Sequence, residues 1–156
     1  MLSTLQKLNL YLRIISFWKI PLLFSCRPQI ILLNESSVKF KIKLRRRTKN
    51  HLGSMYLGAL AIGADITSGY FAFHHLNRYK ENISIIFKDF HADFNKRAMG
   101  DVVFTCSSGI EIKEKIKETI ETKKRINFPV AVIATVPSIS EEVVARFTLT
   151  LSIKAK

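Results

Sequence analysis

The 156 residues of the chain suffice for one domain with a core of its own, and 47% hydrophobic against 24% charged residues excludes a disordered chain. Twenty-five Lys and Arg against twelve Asp and Glu give a formal charge of +13. That excess points to an anionic partner: nucleic acid, an acidic membrane surface or a phosphorylated small molecule. Cys26 and Cys106 form no CxxC pair, which argues against a zinc site or a disulfide framework and for a reducing, cytoplasmic compartment.

Residues 3–20 read as an amphipathic helix, with Leu5, Leu8, Leu12, Ile15 and Trp18 at helical spacing and Pro21 as the stop. Arg13, Lys19, Pro21, Arg27 and Pro28 break every apolar run before Ile30, so a signal peptide is not expected. The helix also carries the cues of a membrane-surface helix. Docking on the body of the domain is nevertheless the expected role, and membrane-surface contact is not.

A short apolar strand is predicted over 29–34, with a turn at 34–37. The segment 38–45 is clearer. Val38, Phe40, Ile42 and Leu44 alternate with Lys39, Lys41, Lys43 and Arg45, the period of a half-buried strand. Arg46, Arg47 and Lys49 carry the positive charge into the next loop.

A long helix then runs from about Ser54, read as its N-cap, to about Leu76. Between Leu52 and Phe73 its one charged residue is Asp65. Gly58, Ala61, Asp65, Ser68, Gly69 and Ala72 share one narrow stripe at 100° per residue. Met55, Ile62, Ile66, Tyr70 and Phe73 fall to one side and are expected on a sheet. Small residues permit close approach of a backbone, a helix or a ligand. The stripe therefore fits two roles for Asp65: a structural hydrogen bond, or a carboxylate facing a substrate slot. A membrane span is long enough on paper, but Gly and Ala dominate the stretch and the flanking strands need an apolar partner.

After a polar segment at 77–82, a strand is predicted over 83–95. Ile86, Lys88, Phe90, Ala92 and Phe94 are placed on its inward face; Ile85, Phe87, Asp89, His91 and Asp93 are placed outward. Met99, Gly100 and Asp101 read as a hairpin turn into a strand at 102–106. An amphipathic helix follows at 109–125, with Ile112, Ile116 and Ile120 inward. The run 128–136 is nearly all apolar and predicts a central strand covered on both faces. Pro137 and Ser138 turn the chain into a last strand at 143–154. His74 and His75 read as helix-end capping groups, and no metal-ligand spacing is found.

The string is helix, two strands, long helix, two strands, helix, two strands. It predicts a single α+β domain over 1–156, an antiparallel sheet with one very apolar helix buried against it.

Asn50, His51, Leu52, Gly53 and Ser54, then Gly58, Ala59 and Asp65, resemble the N-x-x-G-[ST]-x-x-G-[GA]-x(6)-D pattern of hot-dog fold thioesterases. The phenylacetate-degradation type of acyl-CoA thioesterase is the most similar branch. Residues 89–96 with Gly100 and Asp101 are similar to the sheet segment of thioesterase-like members of the same superfamily. The resemblance implies an antiparallel sheet wrapped around the central helix, and a dimer or dimer of dimers with sheets joined edge to edge. It implies an acyl-CoA or related thioester as substrate, coenzyme A entering only as part of it, with no cofactor or metal. Carried over, Asp65 is the general base or nucleophile and Asn50 orients the water or the carbonyl. The amides of Leu57 and Gly58 stabilise the oxyanion. Gly53, Ser54 and Tyr56 line the substrate site, and Lys88 is placed to pair with Asp65 across it. Arg46 and Arg47 stand where coenzyme A phosphates need cations.

The pattern departs at one point: many members carry His-Gly-Gly at the helix start, where this chain has Tyr56, Leu57 and Gly58. That departure favours, as the alternative, a non-catalytic acyl-CoA or fatty-acid binding protein of the same fold. A hot-dog dehydratase lacks the inward histidine its chemistry uses. Nucleic acid is not an expected specific partner, since the basic segments carry no interleaved exposed aromatics.

Overall fold

Val38, Phe40 and Ile42 are fully buried while Lys39 and Lys41 between them face outward, and that alternation defines which side of the sheet holds the core. The computed structural model describes residues 3–76 and 82–155. In chain order these form α1 (Thr4–Lys19), α2 (Pro21–Cys26), β1 (Gln29–Leu33), β2 (Val38–Ile42), α3 (Leu57–Leu76), β3 (Ile83–Phe94), β4 (Val102–Cys106), α4 (Gly109–Thr122), β5 (Ile126–Val136) and β6 (Ser140–Ala155). Of the polar segment read at 77–82, residues 77–81 lie outside the described residues.

The strands make one six-stranded antiparallel sheet in the order β1-β2-β4-β5-β6-β3. Its inner face lies against α3. Phe40, Phe104, Phe147, Leu149 and Leu151 point from the strands toward the small side of the helix at Ala59, Gly63, Ala64, Thr67 and Ser68. Phe104 meets the helix at Gly63, where an added Cβ would stand 2.1 Å from its ring. Only a glycine lets helix and sheet come so close there. Burial of these side chains is part of the driving force. No helix among the described residues is long and apolar enough to cross a membrane.

Both edges of the sheet are distinctive. Asn9 of α1 donates to the Ile30 carbonyl at 2.9 Å and accepts from the Ile30 amide at 2.7 Å, so its side-chain amide stands in for a neighbouring strand at β1. The opposite edge, β3, has a strand on one side only.

Five features depart from the sequence reading. The run 126–136 alternates buried and exposed, so β5 is central but covered on one face only. Residues 99–101 make no hairpin: β3 pairs with β6, and the chain crosses the end of the sheet before β4. The long helix begins at Leu57, because Ser54 is buried in the preceding turn rather than capping it. Of the residues expected on the sheet, Met55 and Tyr70 are buried, Tyr70 against Phe40, whereas Ile62 and Ile66 are only partly buried and Phe73 is exposed; the side nearest the sheet is Ala59, Gly63, Ala64, Thr67 and Ser68, beside the stripe that carries Asp65. In β3 the partner of Phe87 is Leu151, whereas the partner of Phe90 is Leu149: a bulge inserts one extra residue. Period-two reading fails across it. Ile83, Ile85 and Phe87 precede it on the core face, Phe90, Ala92 and Phe94 follow on that same face, and Lys88 is exposed within the bulge. The Asp89 carboxylate accepts the Thr150 amide at 3.1 Å, satisfying a donor the interrupted ladder leaves open.

Gly63→Ala is expected to lower stability by about 1–3 kcal/mol, the usual cost of overpacking, read as a lower urea midpoint. Phe104→Leu in the same background should recover part of that loss. A Gly63→Ala protein as stable as the wild type would refute the close seating of α3 on Phe104.

Candidate active site

The turn before α3 is built by the side chain of Asn50. Its Oδ1 accepts the Leu52 amide at 3.0 Å and the Ser54 amide at 3.1 Å, and its Nδ2 donates to Ser54 Oγ at 2.9 Å. Gly53 takes the left-handed conformation at φ 82°, which favours glycine. The Asn-x-x-Gly-Ser spacing is thus a tight Asx-type turn with a local physical purpose. It leaves Asn50 one amide hydrogen for anything else.

The turn is anchored from two sides. The Met55 amide donates to the Ala98 carbonyl at 2.9 Å and the Tyr56 amide to the Thr48 carbonyl at 2.8 Å. The Tyr56 carbonyl then accepts the Leu60 amide at 3.1 Å, and the helix begins. Among the described residues the amides of Leu57 and Gly58 have no acceptor, as the first turn of a helix requires. Beside the helix start is a depression of about 300 Å³ lined by Asn50, Ser54, Leu57, Leu60, Phe94 and Arg97, among others. The Tyr56 ring lies over the helix start: a Cβ on Gly58 would stand 2.6 Å from its Cε1.

Asp65 is elsewhere. Eight residues of helix separate it from Leu57, about 12 Å of axial rise. Its side chain is exposed in the single chain and has no hydrogen-bond or ion-pair partner among the described residues. Partial desolvation by the apolar flank of α3 nevertheless holds its carboxyl above the ordinary value. Phe87 of the edge strand packs against Gly69, one turn further along. Asp65 therefore sits on the uncovered flank of α3, beside the free edge of the sheet.

The other sequence-predicted residues scatter. Tyr56 is exposed at the helix start. Lys88 points outward and so does not join an inward site with Phe90 and Phe94. Arg46 is exposed, and Arg47 lines a different depression under α1. The cations beside the Leu57 depression are instead Lys96, paired with Glu142, and Arg97. Sequence reasoning gave Asn95, Lys96 and Arg97 no site role, because their proximity to the helix start depends on the Met55–Ala98 link.

The fold is shared with known structures. A Pseudomonas aeruginosa protein of unknown function, named a probable thioesterase, is similar over 99% of this chain and 97% of its own, at 21% identity and a TM-score of 0.76. A Haemophilus influenzae thioesterase is similar over 99% and 93%, at 13% identity and a TM-score of 0.67. A Chlorobaculum tepidum protein of unknown function reaches a TM-score of 0.81 at 11% identity, over 98% of both chains. The chain thus has the α+β hot-dog fold, a six-stranded antiparallel sheet packed on a central helix. No curated protein sequence matches it. It belongs to the family described as domain of unknown function DUF4442, whose model matches residues 10–153.

The raised Asp65 carboxyl sets a pH test. Charging a partly desolvated carboxylate costs the folded state stability above its raised pKa. Asp65→Asn should therefore melt about 1–2 °C higher than the wild type at pH 7, a figure kept small for the solvent contact of the side chain. The advantage should disappear as pH falls through the folded pKa toward the unfolded value near about 4. Equal melting at every pH would show that Asp65 is unperturbed.

Proposed function

We propose that the chain is an acyl-CoA thioesterase, active as a dimer in which Asp65 of one copy meets the α3 N-terminus of the other. The observation that carries this reading is a carboxylate with a raised pKa, unpaired among the described residues and on a helix flank that none of them covers. A pKa moved toward neutrality suits a general base. The 12 Å or so along α3 keeps Asp65 and the free Leu57 and Gly58 amides of one chain from reaching a single carbonyl. Joining two copies antiparallel along β3 supplies the second helix start. The open β3 edge, with Ile86, Phe90 and Phe94 exposed on it, supports such a union.

In this mechanism a water on the thioester carbonyl gives its proton to the Asp65 carboxylate as its oxygen bonds to the carbonyl carbon. The oxyanion is held by the Leu57 and Gly58 amides at the positive end of α3. Collapse breaks the carbon–sulfur bond and expels the coenzyme A thiolate, which recovers the proton from Asp65. The one free Asn50 amide hydrogen orients the water or the carbonyl. Phe94, Leu57 and Leu60 are the apolar part of the depression and would take the acyl chain, and Arg97 and Lys96 in its lining are cations for phosphates. Similarity to proteins named thioesterases and the Asn50 to Asp65 pattern support the reaction class. Tyr56 in the place of the family histidine, its ring over Gly58, favours the alternative of a non-catalytic acyl-CoA or fatty-acid carrier.

Thiol release from short- and long-chain acyl-CoAs decides between them. Wild-type turnover should fall about a hundredfold or more in Asp65→Asn, as for loss of a general base, with acyl-CoA still bound. Undiminished turnover in that variant would remove the role of Asp65. Wild-type protein that binds acyl-CoA without hydrolysing it would select the carrier.

A further inference from the structure

The two N-terminal helices expose what a folded chain normally hides. Asn9 fixes the inner side of α1 on β1, with Leu12 and Ser16 buried. The outer side is apolar as well: Ile14, Phe17, Trp18, Ile20 and Leu22 are each at least half exposed, Trp18 at 76% and Leu22 at 68%. Scattered surface apolar groups are ordinary, but Leu10, Ile14, Phe17 and Trp18 line one cleft with Phe24, and apolar groups gathered in this way mark a docking surface.

Beside the patch lies a depression of about 350 Å³ lined by Arg13, Arg27, Lys43, Arg45 and Arg47. It shares Leu10, Arg13 and Phe24 with the shallow cleft under Phe17 and Trp18, so the charged hollow and the aromatic rim are continuous. No carboxylate among the described residues pairs with any of these five cations. Glu35 is the only acid in the sequence before Asp65, and it lies against Lys113 at 3.4 Å. The crowding has a cost: the Arg47 charge is the largest influence pushing the Arg27 guanidinium below its ordinary value, followed by burial, Arg13 and Arg45. Arg27 is fixed there at φ 51°, its guanidinium 6.0 Å from the Phe24 ring centroid.

We infer that α1 and α2 dock the protein on the surface of an anionic lipid bilayer, with Trp18, Phe17 and Leu22 entering the headgroup layer and a lipid phosphate seated among Arg13, Arg27, Lys43, Arg45 and Arg47. Charge complementarity selects this occupant. Aromatic and aliphatic groups rimmed by Arg and Lys suit the membrane interface, where ring bodies sit in the apolar layer and cations reach phosphates. The hollow lies on the β1 side of the sheet, where its lining residue Thr48 accepts the Tyr56 amide ahead of α3, whereas Asp65 lies toward β3. Its five cations are not among the residues that line the depression at Leu57.

Trp18 is the only tryptophan, so its fluorescence reports on this surface alone. The full chain is mixed with phosphatidylcholine vesicles, and with vesicles in which roughly a third of the lipid is phosphatidylglycerol. Sedimentation with the anionic vesicles only, a blue shift of Trp18 emission, and loss of both at high salt are expected. Arg27→Glu with Arg47→Glu should weaken binding at least tenfold, since each cation near such a surface contributes about fivefold. Trp18→Ser with Leu22→Ser should weaken sedimentation similarly, and all variants should melt as the wild type does. Asp65→Asn should bind vesicles like the wild type, which separates this test from the thioesterase assay.

The inference is overturned by no sedimentation with anionic vesicles, or by sedimentation that the Arg pair or the Trp18–Leu22 pair leaves unchanged. A concentration-dependent Trp18 blue shift in lipid-free protein would assign the patch to a second copy instead. A response to inositol hexakisphosphate with none to vesicles would assign the hollow to a soluble anion. Either result also overturns it.

Discussion

The contact on which the rest of the molecule depends is that of α3 with the sheet at Gly63 and Phe104. A helix normally stands about 8–10 Å from its neighbour because side chains on both sides need room. Here one side of the helix is Ala59, Gly63, Ala64, Thr67 and Ser68, and large groups from the strands fill the space. Close approach on that side puts Leu57, Asp65 and Phe73 on the far side, away from the core. The same sequence device that seats the helix therefore leaves its single acid uncovered. The acid needs no partner to fold, but it is partly desolvated by its own helix.

A sheet has two edges, and this one treats them differently. At β1 the Asn9 side chain makes two bonds that a neighbouring strand would make, both to Ile30. At β3 no described strand pairs with the outer side of its twelve residues, and the bulge at Lys88 and Asp89 is the one interruption to its pairing with β6. Open edges are a hazard unless charged, bulged or occupied. Exposed Phe90 and Phe94, in contact with the buried Phe147 ring, are a poor defence against association and a good foundation for it.

Much of this was legible in the sequence where periodicity was uninterrupted. The Val38–Ile42 alternation, the Ile112 and Ile116 spacing of α4 and the long apolar run of α3 each specify an element and its buried face, and together they specify the α+β class. Period-two reading failed in β3 because one extra residue inverts every assignment on one side of it, which moved Ile86 and Lys88 to the wrong face. It failed in a different way at β5. Pro129, Ala131 and Ile133 are apolar enough to look covered, yet they occupy the outer surface of the sheet. The site was legible in its parts and not in its assembly. Asn50, Gly53 and Ser54 announced a tight turn, and Asp65 announced itself as the lone acid. The nearness of Asn95, Lys96 and Arg97 to the helix start is tertiary, set by one backbone bond from Met55 to Ala98.

Sheet order relates the two proposed surfaces. Five strand spacings of about 4.8 Å separate β1 from β3, so the α1–α2 surface and the open edge are about 24 Å apart along the sheet. A second copy added along β3 extends the sheet away from α1 and leaves both N-terminal helix pairs at its outer ends. Assembly and surface docking then draw on separate residues: Phe90, Phe94 and the flank of α3 for one, Trp18, Leu22 and the arginine hollow for the other. The strong positive charge takes a definite place in that arrangement. Of the cations in the first 49 residues, Arg13, Arg27, Lys43, Arg45 and Arg47 line one hollow at the β1 edge, whereas Asp65 lies on the flank of α3 toward β3. The proposed mechanism asks this carboxylate to take up and release a proton, and the arrangement sets it apart from cations that would lower its pKa.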